Sequence, residues 1–185
     1  MRHPSPDSAQ IAASVSPVPI INGGNGSIEH PTQAFLDLFT IREELGTVNG
    51  LTVTFVGDLR YGRTVHSLIR LLLHYQVVVN LVAPSQLALP DEVKDDLYGR
   101  MEFHEHAELS NDIVSSTDVL YCTRVQGERF ESMEEYERLK SCFVVDNRVL
   151  RAAKKGMIVM HPLPRNQEIS DEVDFDQVCT LYSLR

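Results

Sequence analysis

The sequence predicts an α/β protein, a parallel sheet held between two layers of helices in a three-layer sandwich. Short runs of β-branched and apolar residues at 51–56, 77–83, 119–123 and 157–160 lack the in–out alternation of a half-exposed strand. Each is therefore expected to be buried on both faces. Segments with helical spacing separate these runs, and breakers such as Asn49, Gly50 and Pro84 punctuate them. Doubly buried strands that alternate with helices need helices on both sides of the sheet.

Taken in order, residues 1–17 are rich in Ser and Pro and read as loop, and 18–21 are a short strand candidate. NGGNG at 22–26 is a strong breaker cluster. Pro31 opens a helix in the favoured first position, Ala34, Leu38, Ile41 and Leu45 recur at helical spacing, and Gly46 fits the C-terminal cap. After strand 51–56 comes a helix over 63–75 with Val65, Leu68, Ile69 and Leu72 on one face, then strand 77–83, stopped by Pro84. Residues 91–98 read as a short helix, 101–104 as a strand, 109–115 as a short helix, 119–123 as a strand and 132–139 as a charged helix. The apolar triplet 143–145, a helix over 148–155 and strand 157–160 complete the series. Residues 1–45 hold too little for a core of their own, 46–176 carry the sheet, and 177–185 form an atypical tail without a clear element.

A net charge of −9 argues against nucleic acid or an anionic membrane surface as the main partner, although a few placed arginines can still hold a small anion. No run of 18 or more apolar residues predicts a membrane span. Cys122, Cys142 and Cys179 show no CxxC spacing, which points to neither a disulfide framework nor a zinc site but to a reducing, cytoplasmic compartment. His104 and His106 alternate on an expected edge strand; that permits a metal pair, but surface histidines are the commoner explanation.

Four stretches carry candidate chemistry. GDLRYGRT at 57–64 joins a strand to a helix, but it is neither GxGxxG nor a P-loop, and no acidic residue ends the second strand to hold a ribose. What remains is Arg63 in the first helical turn, where the helix dipole also favours anions; spacing alone slightly favours a solvated surface arginine. EHPTQ at 29–33 places His30 and Gln33 at one end of a helix, as two hydrogen-bonding groups for a ligand or as a polar cap. TRVQ at 123–126 places Arg124 and Gln126 at the carboxyl end of a strand, where open α/β sheets bind ligands. An ion pair between Arg124 and the acidic residues 131–137 is at least as good a reading. HPLPR at 161–165 follows another strand, and its prolines force the chain out of the sheet. Arg63, Arg124 and this turn could converge on one rim, as a site for a small polyanion acting through orientation and electrostatics.

HPTQAFLDLFTIREELGTVNG, VGDLRYGRTVHSL, VLYCTRVQGERF and VMHPLPRNQEI, in that order, closely resemble aspartate carbamoyltransferase. They most resemble the form found as the last domain of the large eukaryotic pyrimidine-synthesis polypeptides. The resemblance implies a Rossmann-like aspartate-binding domain over 46–176 and a remnant of the carbamoyl-phosphate domain over 1–45. It implies transfer of a carbamoyl group from carbamoyl phosphate to L-aspartate without metal or cofactor, in a homotrimer that shares active sites between neighbours. Arg2 matches the arginine that contacts carbamoyl phosphate, His30 the histidine that bonds its carbonyl oxygen, and Gln33 the residue that holds its amide. Arg63 and Arg124 match the pair that grips the aspartate carboxylates, aided by Gln126. Leu163 and Pro164 match the turn whose carbonyls meet the reacting nitrogens, with a cis bond between them. Ornithine carbamoyltransferase shares the fold but has a cysteine where this chain has Pro162, and Arg124 suits a carboxylate better than an amine.

The family's phosphate-binding Ser-Thr-Arg-Thr motif and its lysine-bearing loop do not occur in the chain. The expectation is therefore a chain that is inactive alone, either part of a working transferase or a non-catalytic remnant that assembles with one. The 31–45 helix is expected to leave apolar surface uncovered.

Overall fold

The computed structural model describes residues 1–127, 130, 132–140 and 142–175, and 180–183 as backbone. Its centre is a six-stranded sheet in the order β3-β2-β1-β4-β5-β6. The strands are β1 (Thr52–Val56), β2 (Val78–Val82), β3 (Glu102–His106), β4 (Val119–Cys122), β5 (Ile158–His161) and β6 (Thr180–Ser183), and every neighbouring pair is parallel. The chain builds outward from β1 through β2 to β3, then crosses back to place β4 on the other side of β1. Val53 accordingly pairs with Val79 on one side and Val119 on the other.

Because successive side chains of a strand point to opposite faces, one run feeds two cores. Val53, Phe55 and Tyr121 pack on one face with α2 (Pro31–Leu45) and α3 (Arg63–Leu72), through Ile41, Leu68 and Leu72. Val56, Leu120, Cys122 and Val159 pack on the other with α5 (Asn111–Ser116) and α7 (Asn147–Leu150). The three-layer parallel sandwich is thus as the sequence predicts. Edge strand β3 is charged and mostly exposed, a pattern that discourages edge-to-edge pairing. Its His104 contacts Glu102 at 3.2 Å.

Several elements differ from expectation. Residues read as loop contain helix α1 (Ser8–Val15), which has no buried residue and so leaves no amphipathic stripe to read. Residues 18–21 are not a strand; Pro19 has no N–H to give a ladder. The helix expected over 63–75 ends at Leu72, and those over 91–98 and 148–155 shorten to α4 (Asp91–Lys94) and α7, followed by turns. Of 143–145 only Val145 pairs, as a single bridge to Ile169. The tail without a clear element contains β6, which extends the sheet beside β5. Residues 132–139 form α6 (Met133–Leu139), capped by Ser132.

Candidate functional site

Parallel strands deliver all their outgoing loops to one edge of the sheet, and the point where chain direction reverses leaves a crevice between diverging loops. Here that point lies between β1 and β4. A cavity of about 470 Å³ opens there, lined by the loops after β1, β4 and β5, the start of α2 and the N-terminal segment. Arg2, His30, Gln33 and Arg63 are on its wall, and so are Arg124, Gln126, Leu163 and Pro164. All eight residues matched through the resemblance therefore reach one space, whereas His104 and His106 lie away from it on edge strand β3.

Arg2 is carried by a strip of chain tied to the NGGNG loop. The His3 N–H donates to the Gly24 carbonyl at 3.0 Å and the Gly26 N–H to the His3 carbonyl at 3.0 Å. Arg63 is half-buried, and its Nη1 donates to the Gly26 carbonyl at 2.8 Å, so the reading of a solvated surface arginine does not hold. The guanidinium lies against Gly24, whose φ is +120° and where an added Cβ would stand 3.0 Å from Cζ. Glycine is needed there for conformation and for space.

His30 caps α2: its Nδ1 accepts the Gln33 N–H at 3.3 Å, and its own N–H donates to Ser67 Oγ at 2.8 Å. Burial, reinforced by the charges of Arg63 and Arg2, holds its pKa below the usual histidine value. A neutral imidazole that accepts at Nδ1 carries its proton on Nε2, which makes Nε2–H the donor left for a ligand. Capping and ligand binding are thus two ends of one side chain. Gln33 Nε2 donates to Asp37 Oδ1 at 2.9 Å.

The loops after β1 and β4 are fastened to each other. Gly57, with φ +116°, brings the chain so close to β4 that an added Cβ would stand 2.2 Å from the Thr123 carbonyl oxygen. Asp58, fully buried, accepts the Tyr61 N–H at 2.9 Å and the Gln126 N–H at 3.3 Å. Burial raises its pKa against the opposing pull of these N–H groups and of the Arg124 charge. Gln126 Nε2 donates to the Tyr61 carbonyl at 2.9 Å. Gln126 therefore sets the loop that carries Arg63, a role its spacing did not indicate. The sequence signal for Asp58 is slight: an acidic residue directly after a strand and a glycine.

The turn after β5 is built around His161, which is 1% exposed. Its Nδ1 accepts the Leu163 N–H at 2.9 Å, and its Nε2 lies 2.9 Å from Glu168 Oε1, though without the geometry of a well-formed hydrogen bond. Burial opposes ionisation of Glu168, but the His161 contact and the Asn166 N–H outweigh it and hold its carboxyl below the usual range. The Leu163–Pro164 peptide is cis, as the resemblance implies, and Leu163 has φ +56°.

Comparison with known proteins gives the same answer. Residues 49–183 match the family model for the aspartate/ornithine carbamoyltransferase Asp/Orn binding domain, and residues 1–43 match the family's carbamoyl-P binding domain. The multifunctional protein ura1 of Schizosaccharomyces pombe is 69% identical over 178 residues, covering 96% of this chain and 8% of that protein. The aspartate carbamoyltransferase catalytic subunit of Parabacteroides distasonis is 47% identical over 176 residues, covering 94% of this chain and 57% of that subunit. Aspartate transcarbamoylase from Trypanosoma cruzi, solved with carbamoyl phosphate, superposes with a TM-score of 0.88 at 43% identity, over 97% of this chain and 58% of that one. The chain spans less than two thirds of each of these relatives. With a family model matched across most of its length and its loops gathered at the sheet's switch point, the chain belongs to the aspartate/ornithine carbamoyltransferase family.

Proposed function

We propose that this chain contributes the aspartate-binding part, and a portion of the carbamoyl-phosphate-binding part, of an aspartate carbamoyltransferase. The observation that carries the reading is the convergence of Arg63 and Arg124, from loops on either side of the switch point, on a cavity that also holds His30 and Gln33. Two guanidinium forks match a substrate with two carboxylates. One relative was solved with carbamoyl phosphate and aspartate together.

In the reaction, the amine of L-aspartate forms a bond to the carbonyl carbon of carbamoyl phosphate. The carbon–oxygen bond to phosphate breaks, phosphate leaves with the electron pair, and the proton lost by the amine passes to the departing phosphate. Negative charge grows on the carbonyl oxygen, where His30 Nε2–H and the Arg2 guanidinium can meet it; losing one such donor typically costs about 10²–10³ in rate. The Leu163–Pro164 turn offers backbone carbonyls to the N–H groups of the reacting nitrogens, held in place by His161. Orientation supplies the rest. No step calls for a metal or cofactor.

The relatives named multifunctional proteins favour a place within a larger polypeptide. A homotrimer and a cytoplasmic location belong to the same proposal; the free thiols of Cys122 and Cys142 fit a reducing compartment. Cys179 lies outside the described residues.

The test is formation of N-carbamoyl-L-aspartate, by the chain alone and by the chain joined to the rest of a relative's carbamoyl-phosphate domain. We expect none from the chain alone and product from the joined protein, lowered at least about 100-fold in kcat/KM for aspartate by Arg124→Ala. No product from either protein overturns the catalytic reading in favour of a non-catalytic remnant. Product that is unchanged in Arg124→Ala removes Arg124 from the site.

A further inference from the structure

Behind the cavity wall lies a buried polar relay. Asp37 sits one turn after Gln33 on α2, and it is 0% exposed on a helix face otherwise buried through Ala34 and Ile41. A carboxyl group in such a place is costly unless it is hydrogen-bonded. Both of its oxygens are engaged: Oδ1 accepts the Gln33 side-chain N–H at 2.9 Å, and Oδ2 accepts the Tyr121 hydroxyl at 2.7 Å. Gln33 lines the cavity, so the relay starts at the wall at the beginning of α2 and runs inward to Tyr121.

The chemistry of this relay is directional. An ionised carboxylate only accepts, so it can bind only the NH2 end of the Gln33 amide. The Gln33 carbonyl oxygen is then the end left for a ligand. A neutral group at position 37 that could also donate would let the amide turn over and present N–H instead.

We propose that Asp37 is a positioning residue: its buried carboxylate, braced by Tyr121, fixes the Gln33 amide so that the carbonyl oxygen serves the cavity and selects a substrate group bearing N–H. That this group is a carbamoyl NH2 rests on the transfer reaction proposed above; the orientation of Gln33 does not.

Burial pushes the Asp37 carboxyl up to about 6, against the Tyr121 and Gln33 hydrogen bonds, so its ionisation can be followed near neutral pH. Of the titratable and charged groups on the elements that meet around it, Tyr121 from β4 bonds it directly; the others are His30, Arg42, Glu43 and Glu44 along α2 and Arg63, His66 and Arg70 on α3, the helix packed on α2.

The experiment is a pH titration, from 5 to 8, of the Gln33 side-chain NH2 signals in the ¹⁵N-labelled chain without ligand, assigned by their loss in Gln33→Leu. We expect the signals to move with a midpoint near that of Asp37 and to stop moving in Asp37→Asn. In Tyr121→Phe, which removes a donor to the carboxylate, the midpoint should rise by about one unit. Signals that stay flat in the wild type, or that titrate unchanged in Asp37→Asn, overturn the proposal. Should Asp37→Asn fail to fold, Tyr121→Phe decides, and an unmoved midpoint counts against Asp37. Failure of the carbamoyl-transfer assay would leave this titration as it is, so the two ideas fall separately.

Discussion

Helices α2 and α3 lie side by side against the same face of the sheet, and both bury polar side chains, yet of the two only α2 buries a carboxyl group and leaves phenyl rings in water. On α3 the stripe Val65, Leu68, Ile69 and Leu72 is fully buried, while Arg70 reaches outward to Asp96 at 2.8 Å. On α2 a carboxyl group, Asp37, is fully buried, while Phe35 and Phe39 are 63% and 61% exposed. A helix that turns one apolar stripe to the core and its charges to water follows the ordinary amphipathic pattern. A helix that hides an acid and shows two phenyl rings does not. Its inner face joins apolar Ala34 and Ile41 to an acid whose hydrogen bonds are complete only when Tyr121 is in place. Its outer face is the uncovered apolar surface expected from the sequence, of the kind that marks an interaction surface.

The contrast can be attacked directly. The largest effect should come from Leu68→Ala, which empties a fully buried site and should cost about 2–5 kcal/mol in denaturant unfolding. A loss below about 1 kcal/mol would mean that α3 is not anchored as described. Tyr121→Phe keeps the ring contact with Phe55, at 5.4 Å between centroids, but strips one donor from Asp37. It should cost about 1–3 kcal/mol, and a neutral result would show that the inner face of α2 does not depend on the relay.

The native state holds the Asp37 proton more tightly than the unfolded chain, with the carboxyl raised from 3.8 to about 6. Wild-type stability owed to this group is therefore fully present below the unfolded value and lost as pH rises through 6. Relative to Asp37→Asn, the wild type should gain about 1 kcal/mol between pH 7.5 and pH 5. A difference that stays constant over that range would place Asp37 in a less buried setting. The smallest effect on unfolding belongs to Phe39→Ser on the exposed face, about 0.5 kcal/mol or less. The same change should reduce self-association in sedimentation, and unaltered association would mean that this face is not sticky.

Much of the fold was legible because strands buried on both faces appear as unbroken apolar runs, and 51–56 and 157–160 needed no partner to be recognised. The turn at 161–165 was legible because its prolines cannot continue a ladder. Helix α1 was not, since a helix that buries nothing has no stripe. The short helices α4 and α7 end earlier than their pattern implies, because periodicity continues past the point where the chain turns. Arg63, Arg124 and the HPLPR turn could be placed at strand ends and suspected of converging, but spacing alone left Arg63 closer to a surface residue than to a ligand group. Asp58 and Asp37 show the remaining gap: each works through a partner distant in sequence, Gln126 and Tyr121, and one-dimensional spacing does not report partners.

By itself the sequence determined the alternation of strands and helices, the burial of the central strands and the residues that bring charge and hydrogen-bonding groups to the ends of those strands. These follow from local chemistry: side-chain shape, proline's missing N–H and the period of apolar residues. Only the tertiary structure decided that β4 would lie beside β1, so that Arg63 and Arg124 face one cavity, and that Asp37 would point inward to Tyr121. The reason is that burying a polar group is unfavourable until its partner is present, and here the partner comes from a distant part of the chain that folding alone brings near.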